Sequence, residues 1–425
     1  MKKLLYLFMF LYLGTWGELS AQMLLFKGTF EEALKKAQAE KKDLFVDFYA
    51  DWCGPCKIMA DNIFTRQEVG KYFNSNFVCV QVNVEAGENK VLTKKYNVTV
   101  LPTMVFISRN GKEMRRIQGA VSPEDLIQNG KIALGEALSF EQLYEKYKKE
   151  KNDFTIQQQL LIEAPRFIAT QSGYNRQKWG SRIESLFPEY CKNKKLENMI
   201  NGTDFYILTL YHPQAEKEDP IFDFVTKNYK RFADSVDKPT IFSYLVSLNN
   251  GYIIRSCRKG DLSYKERLKR VSGDLKDIYS EFSFGTLSAQ EATTLLADAT
   301  YNLYRHNEDL FFENMNKYYS GKGELVEWGD YAQALEDLAI VFEGKMSKNA
   351  YMKCIPWISK ALEMNIDAET RTRLLMMLGD CLKNTGNKEK AKQTYNQAFL
   401  TCTQIVNKMQ AKQLQEIIQQ TLKEL

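Results

Sequence analysis

The sequence predicts an α/β fold, a mixed central sheet flanked by helices, followed by an all-α region. Three observations predict it. Short apolar runs rich in Val and Phe alternate with helical patterns as far as about residue 134. From about residue 139 strand-like runs nearly vanish, and apolar residues fall at spacings of three and four. Near the C-terminus two amphipathic patterns flank the polar turn Asn384-Thr385-Gly386-Asn387. The chain has 425 residues, room for two or three domains, and its 44% hydrophobic and 26% charged content is that of an ordinary globular protein.

Residues 29–41 place Phe30, Ala33, Leu34 and Ala37 on one helical face. Leu44-Phe45-Val46-Asp47-Phe48-Tyr49 is a strand-length apolar run with one acid inside it. A helix is expected to start at Cys53-Gly54-Pro55-Cys56, because proline is tolerated in a first helical turn. Residues 77–84 read as a second strand, 90–96 as a short helix and 103–107 as a third strand. Asn110-Gly111 is a two-residue turn signal, which makes 114–117 the returning strand. Residues 123–134 close the region as a helix. After the leading helix the expected order is β-α-β-α-β-β-α.

The second half divides less sharply. Residues 139–330 are expected to be helical, with turns at Asn201-Gly202, His212-Pro213 and Asn250-Gly251, and match no specific fold. In residues 331–425, Leu375, Leu378, Gly379 and Leu382 precede the polar turn, and Ala391, Tyr395 and Ala398 follow it. Small Gly379 and Ala391 would let two helices approach closely. This pattern resembles a tetratricopeptide repeat, a stacked helical hairpin that often binds peptide segments. Residues 331–342 and 355–362 look like a weaker preceding copy.

The first residues depart from the rest. Lys2 and Lys3 precede an apolar run over 4–13, and Leu19-Ser20-Ala21 follows. A short basic region, about ten apolar residues and a small residue at the end form the layout of a secretory signal peptide over residues 1–21, pointing to export into a bacterial periplasm. The expected domains are then 22–138, 139–330 and 331–425. The net charge of +5 comes from 58 basic and 53 acidic residues spread along the chain, which argues against a nucleic-acid partner.

Of eight cysteines only Cys53 and Cys56 are close together. The thiolate, not the thiol, is the nucleophile of disulfide exchange. A helix start offers unpaired N–H groups and the positive end of the macrodipole, both of which favour a sulfur anion. Cys53 at that position is expected to present an exposed sulfur, with Cys56 one turn on and more buried. Asp47 is the one charged residue of its strand, and a carboxyl buried there should hold its proton to a higher pH and serve as proton shuttle for Cys56. Pro102 opens a strand, where a cis Leu101–Pro102 bond would lay backbone beside the cysteines. Trp52 offers a flat apolar contact, and Gly119 with Ala120 lacks bulk. A zinc site would need two more ligands, and no second close cysteine pair exists; no metal and no cofactor are expected.

The run Val46-Asp47-Phe48-Tyr49-Ala50-Asp51-Trp52-Cys53-Gly54-Pro55-Cys56-Lys57 resembles the active-site region of thioredoxin. Tyr96-Asn97-Val98 through Leu101-Pro102-Thr103 resembles its cis-proline segment, and Asn110-Gly111 with Gly119-Ala120 its last hairpin. The resemblance covers residues 25–134. It implies the thioredoxin fold, Cys53 as attacking and Cys56 as resolving cysteine of a redox-active disulfide, Asp47 as buried acid, and Trp52, Leu101, Pro102 and Gly119 around the substrate. The interval from Cys56 to Pro102 is longer than in the smallest thioredoxins.

These features together lead us to expect an exported reductase of protein disulfides. Its partners would be disulfide-containing proteins and, by the resemblance, a membrane thiol-reductant carrier as electron donor. The alternatives are an oxidase or isomerase, or a binding protein in which the helical region carries recognition.

Overall fold

The computed structural model describes residues 22–425. The segment read as a signal peptide, 1–21, lies outside them. The described residues divide into two compact units, one ending at Gln171 and one running from Ser172 to Leu425.

The first unit is built on one mixed sheet. Its elements are β1 (Leu25–Phe26), α1 (Phe30–Glu40), β2 (Asp43–Tyr49), α2 (Gly54–Ile58), α3 (Gln67–Asn76), β3 (Phe77–Asn83), α4 (Lys90–Lys95), β4 (Thr103–Ile107), β5 (Glu113–Gln118), α5 (Pro123–Leu134), α6 (Phe140–Lys149) and α7 (Phe154–Ala169). The strand order is β1-β3-β2-β4-β5. β2 runs parallel to β3 and antiparallel to β4, so the sheet is mixed as expected. This arrangement is the thioredoxin fold.

Local chemistry explains the elements. Thr29 caps α1 and accepts from the Glu32 N–H, while Glu32 reaches back to the Thr29 N–H, satisfying two orphan donors at once. Residues alternate across β2, which sorts the core into two layers. Leu44, Val46 and Phe48 pack with Phe30, Ala33 and Ala37 of α1 and with Val80 and Val105. Phe45 packs on the other face with Met59, Phe73, Met104, Phe106 and Leu126. Its ring meets those of Phe73 and Phe106 at centroid distances of 4.9 and 5.2 Å.

Three details differ from the sequence expectation. The helix begun at Gly54 is α-helical only to Ile58 and continues as a π-helical turn, Met59–Ile63. A separate helix, α3, follows. β1 was not expected, because a two-residue edge strand has no periodicity to detect.

From Phe140 onward every regular element described is helical. In the second unit the helices Ala368–Asn384 and Lys388–Thr401 pack as a hairpin around Gly386, whose φ is +93°. Gly379 meets Tyr395 face to ring, and a Cβ at 379 would lie 2.7 Å from that ring. The Tyr395 hydroxyl donates to Asp380 at 2.6 Å. Ala391 is fully buried in the same hairpin. The helices Trp328–Val341 and Lys348–Glu363 precede it.

Candidate active site

β2 delivers the chain to Ala50-Asp51-Trp52 at its C-terminal end, and Cys53 follows as the N-cap of α2 with φ −75° and ψ 105°. This extended backbone lets Sγ of Cys53 turn back and accept the Cys56 N–H at 3.2 Å. Pro55 sits in the first turn, where its missing N–H costs no helical bond. Cys53 and Cys56 are joined as a disulfide with an S–S distance of 2.06 Å. The expectation of an exposed Cys53 and a more buried Cys56 does not hold for this state: each is 4% exposed. The cause is local packing, because Val84 and Leu101 close over Ala50 and the two cysteines.

Asp47 sits in the middle of β2, opposite Gln81 on β3 and Met104 on β4. It shares a strand face with Phe45, the face on which α2 and its π-helical continuation pack through Met59. The carboxyl is fully buried. Oδ2 accepts from the Gln81 amide at 3.0 Å, and Oδ1 has no hydrogen-bond partner among the described residues. Burial in this apolar layer pushes the acid up to about 6, against the smaller opposing effect of the Gln81 amide.

The Leu101–Pro102 peptide bond is cis. Gly119, at φ +83°, donates its N–H to the Pro102 carbonyl at 2.8 Å, so the end of β5 is tied to the proline. A side chain at 119 would meet nothing within 4 Å, which leaves this edge open. The Thr103 hydroxyl donates to the Val100 carbonyl at 2.6 Å. Arg116 on β5 donates to the carbonyls of Tyr96 and Asn97 at 2.6 and 3.2 Å while paired with Glu113 at 2.8 Å. These bonds hold the segment from Tyr96 to Thr103 against the sheet.

A cleft of about 420 Å³ opens beside the disulfide, lined by Trp52, Cys53, Gly54, Pro55, Val84, Val98, Thr99 and Leu101. Trp52 is 70% exposed, and its indole N–H donates to Glu85 at 2.9 Å. Of the residues expected at the site, Cys53, Trp52 and Leu101 line this cleft. Cys56 is bonded beneath it, and Pro102 and Gly119 are joined at its margin. Asp47 lies in the sheet under the cysteines' helix.

Sequence reasoning missed Val84, Val98 and Thr99 as lining of the cleft beside Cys53, Glu85 as the partner of Trp52, and Arg116 as the brace. Val98 and Thr99 could have been found from their place just ahead of Leu101-Pro102. Val84 and Glu85 could have been found from their place at the end of β3, the strand paired with β2. Arg116 carried no local signal. Among the described residues no group of three or more His, Cys, Asp or Glu is placed to hold a metal. No described helix is long and apolar enough to cross a membrane. The six remaining cysteines carry free thiols, five of them buried.

A family model described as a thioredoxin-like domain matches residues 30–131. The chain is 46% identical over 69 residues to thioredoxin-T of Drosophila melanogaster, a stretch covering 16% of this chain and 41% of that protein. It is 36% identical over 94 residues to thioredoxin H-type of Oryza sativa subsp. indica, 22% of this chain and 71% of that protein. It is 30% identical over 100 residues to the thiol:disulfide interchange protein DsbD of Campylobacter jejuni strain RM1221, 23% of this chain and 17% of that protein. The chain therefore spans less than two thirds of some of these relatives, and each match covers less than a quarter of this chain.

Proposed function

Through its first unit this chain belongs to the thioredoxin family, and we propose that it is an exported thiol–disulfide oxidoreductase that reduces protein disulfides. The observation that carries the reading is the Cys53–Cys56 disulfide at a helix start, beside an open cleft. The pair is in its disulfide form, which a reductase of this kind would reach after each turnover.

In the reduced protein the Cys53 thiolate attacks one sulfur of a substrate disulfide. The substrate S–S bond breaks, a mixed disulfide forms, and one substrate sulfur leaves as a thiolate. Cys56 then attacks Cys53 in the mixed disulfide, releases the second substrate sulfur and closes the pair. The substrate gains two electrons and the enzyme dithiol loses them. The Cys56 N–H already points at the Cys53 sulfur, and it would stabilise the anion there along with the other N–H groups of the first turn. Asp47 takes the proton of Cys56, directly or through water; an acid that titrates near 6 is ionised and able to accept at neutral pH. Trp52 and Leu101 contact the substrate across the cleft, and Pro102 and Gly119 complete the margin. Turnover requires a reductant, and a membrane thiol carrier of the interchange class would fit a periplasmic location. The helical unit, with its repeat-like hairpin, recruits substrate or partner. In this reading residues 1–21 are the export signal, and 22–138, 139–330 and 331–425 are the working parts.

The test is reduction of insulin disulfides by the chain from residue 22, with dithiothreitol as donor. Turnover at least tenfold above the uncatalysed rate is expected, with its loss in Cys53→Ser. Cys56→Ser should accumulate mixed disulfides with substrate proteins in cells. A Cys53–Cys56 couple far more oxidising than thioredoxin's would instead identify an oxidase or isomerase. If a Cys53→Ser, Cys56→Ser strain behaves as wild type while truncation after residue 139 does not, the chain is a binding protein.

A further inference from the structure

Away from the site, two free thiols meet in the core of the second unit. Cys354 lies on the helix Lys348–Glu363 and Cys381 on the next helix, Ala368–Asn384. These helices pack against each other, and both residues belong to one apolar cluster with Trp357, Ile358 and Leu374. Both are buried, and the Cys381 thiol is near enough to Cys354 to help push its acid–base equilibrium up. The other free thiols have different neighbours: Lys42 near Cys79, Asp204 near Cys191, Asp298 near Cys257 and Thr372 beside Cys402. Neighbouring thiols on two packed helices can be bridged when their Cα atoms lie within about 7 Å of each other.

We propose that Cys354 and Cys381 are a second oxidisable dithiol, whose disulfide staples these two helices together. The oxidant is a small disulfide of the glutathione class. The Cys354 thiolate attacks one of its sulfurs, the oxidant's S–S bond breaks, and one thiolate leaves. Cys381 then attacks the Cys354 sulfur and expels the second thiolate. The two protons lost by the cysteines end on the two leaving thiolates; the protein dithiol is oxidised and the small disulfide is reduced to two thiols. Burial and the neighbouring thiol hold Cys354 protonated in the closed core. The reaction therefore runs as the helices fold or open, and the finished bond is shielded from reductants. This inference does not rest on the activity proposed above.

The experiment uses the chain from residue 22 carrying Cys53→Ser and Cys56→Ser, so that the first pair takes no part. The protein is refolded with either dithiothreitol or oxidised glutathione, then alkylated and digested with trypsin without reduction. In the oxidised sample the peptides 354–360 and 374–383 should appear as one linked species, two hydrogens lighter than their sum. The oxidised chain should also melt several degrees higher than the reduced one, and Cys381→Ala should abolish the difference. Alkylation of both cysteines after refolding in oxidised glutathione overturns the proposal. So does linkage of either one to Cys402 instead. The mapping is done on native Cys354 and Cys381, so it stands even if the alanine variant fails to fold.

Discussion

Asp47 makes the stability of the first unit depend on pH. Its acid is pushed to about 6 by burial, against an ordinary value of 3.8. The unfolded chain loses this proton near pH 4 while the folded chain keeps it to about 6. The folded state therefore binds more protons between these values, and stability falls as pH rises through that window. The shift corresponds to roughly 3 kcal/mol, fully lost above pH 7. Asp47→Asn should raise the denaturation midpoint at pH 7 and flatten its pH dependence between 4 and 7, which urea titration at several pH values would check. The same variant should slow resolution of the mixed disulfide at neutral pH. Gln81→Leu removes the one amide that bonds the carboxyl and should shift the activity profile to higher pH. Asp47 was legible in the sequence because a lone charge in an apolar strand is conspicuous. Gln81 was not, because its importance depends on the register between β2 and β3.

At the scale of the element, capping and close approach decide what holds. Thr29→Ala removes one half of the α1 capping box and should cost about 1 kcal/mol, read as a lower urea midpoint with unchanged slope. Gly379→Val places a branched side chain where even a Cβ would press on Tyr395. It should destabilise the second unit by several kcal/mol while leaving insulin reduction intact, measured as loss of helical circular dichroism on heating. Gly379 was legible in the sequence as a small residue in a hairpin pattern, whereas Thr29 was read inside the helix it caps. The helix after Cys56 was half legible. Pro55 announced its start, but nothing local marked the change to a π-helical turn at Met59 or the separate helix from Gln67. Arg116 likewise acts on a segment some twenty residues away, beyond the reach of any spacing rule.

For the whole molecule, the two compact units differ in how far the sequence specifies them. The first unit has strands in the order of the fold it was expected to have, because alternating apolar residues and turn residues specify a sheet almost locally. The helices of the second unit could be located, but spacings of three and four say which face is buried and not against what. Compactness places the break between the units at Gln171, so α6 and α7 go with the sheet. A fragment of residues 22–171 should then fold with a cooperative transition and keep insulin reductase activity within about threefold of the longer chain. A fragment stopping at 138 should be less stable. Loss of activity in the 22–171 fragment would show that the second unit supports the chemistry.

That fragment has a useful optical property. Of the five tryptophans in the sequence it retains Trp52 alone, with its indole tethered to Glu85 beside the sulfur pair. Its emission would therefore come from a single fluorophore next to the bond being made and broken. Each electron pair that enters or leaves could be followed as a change in brightness, without a dye or a coupled assay.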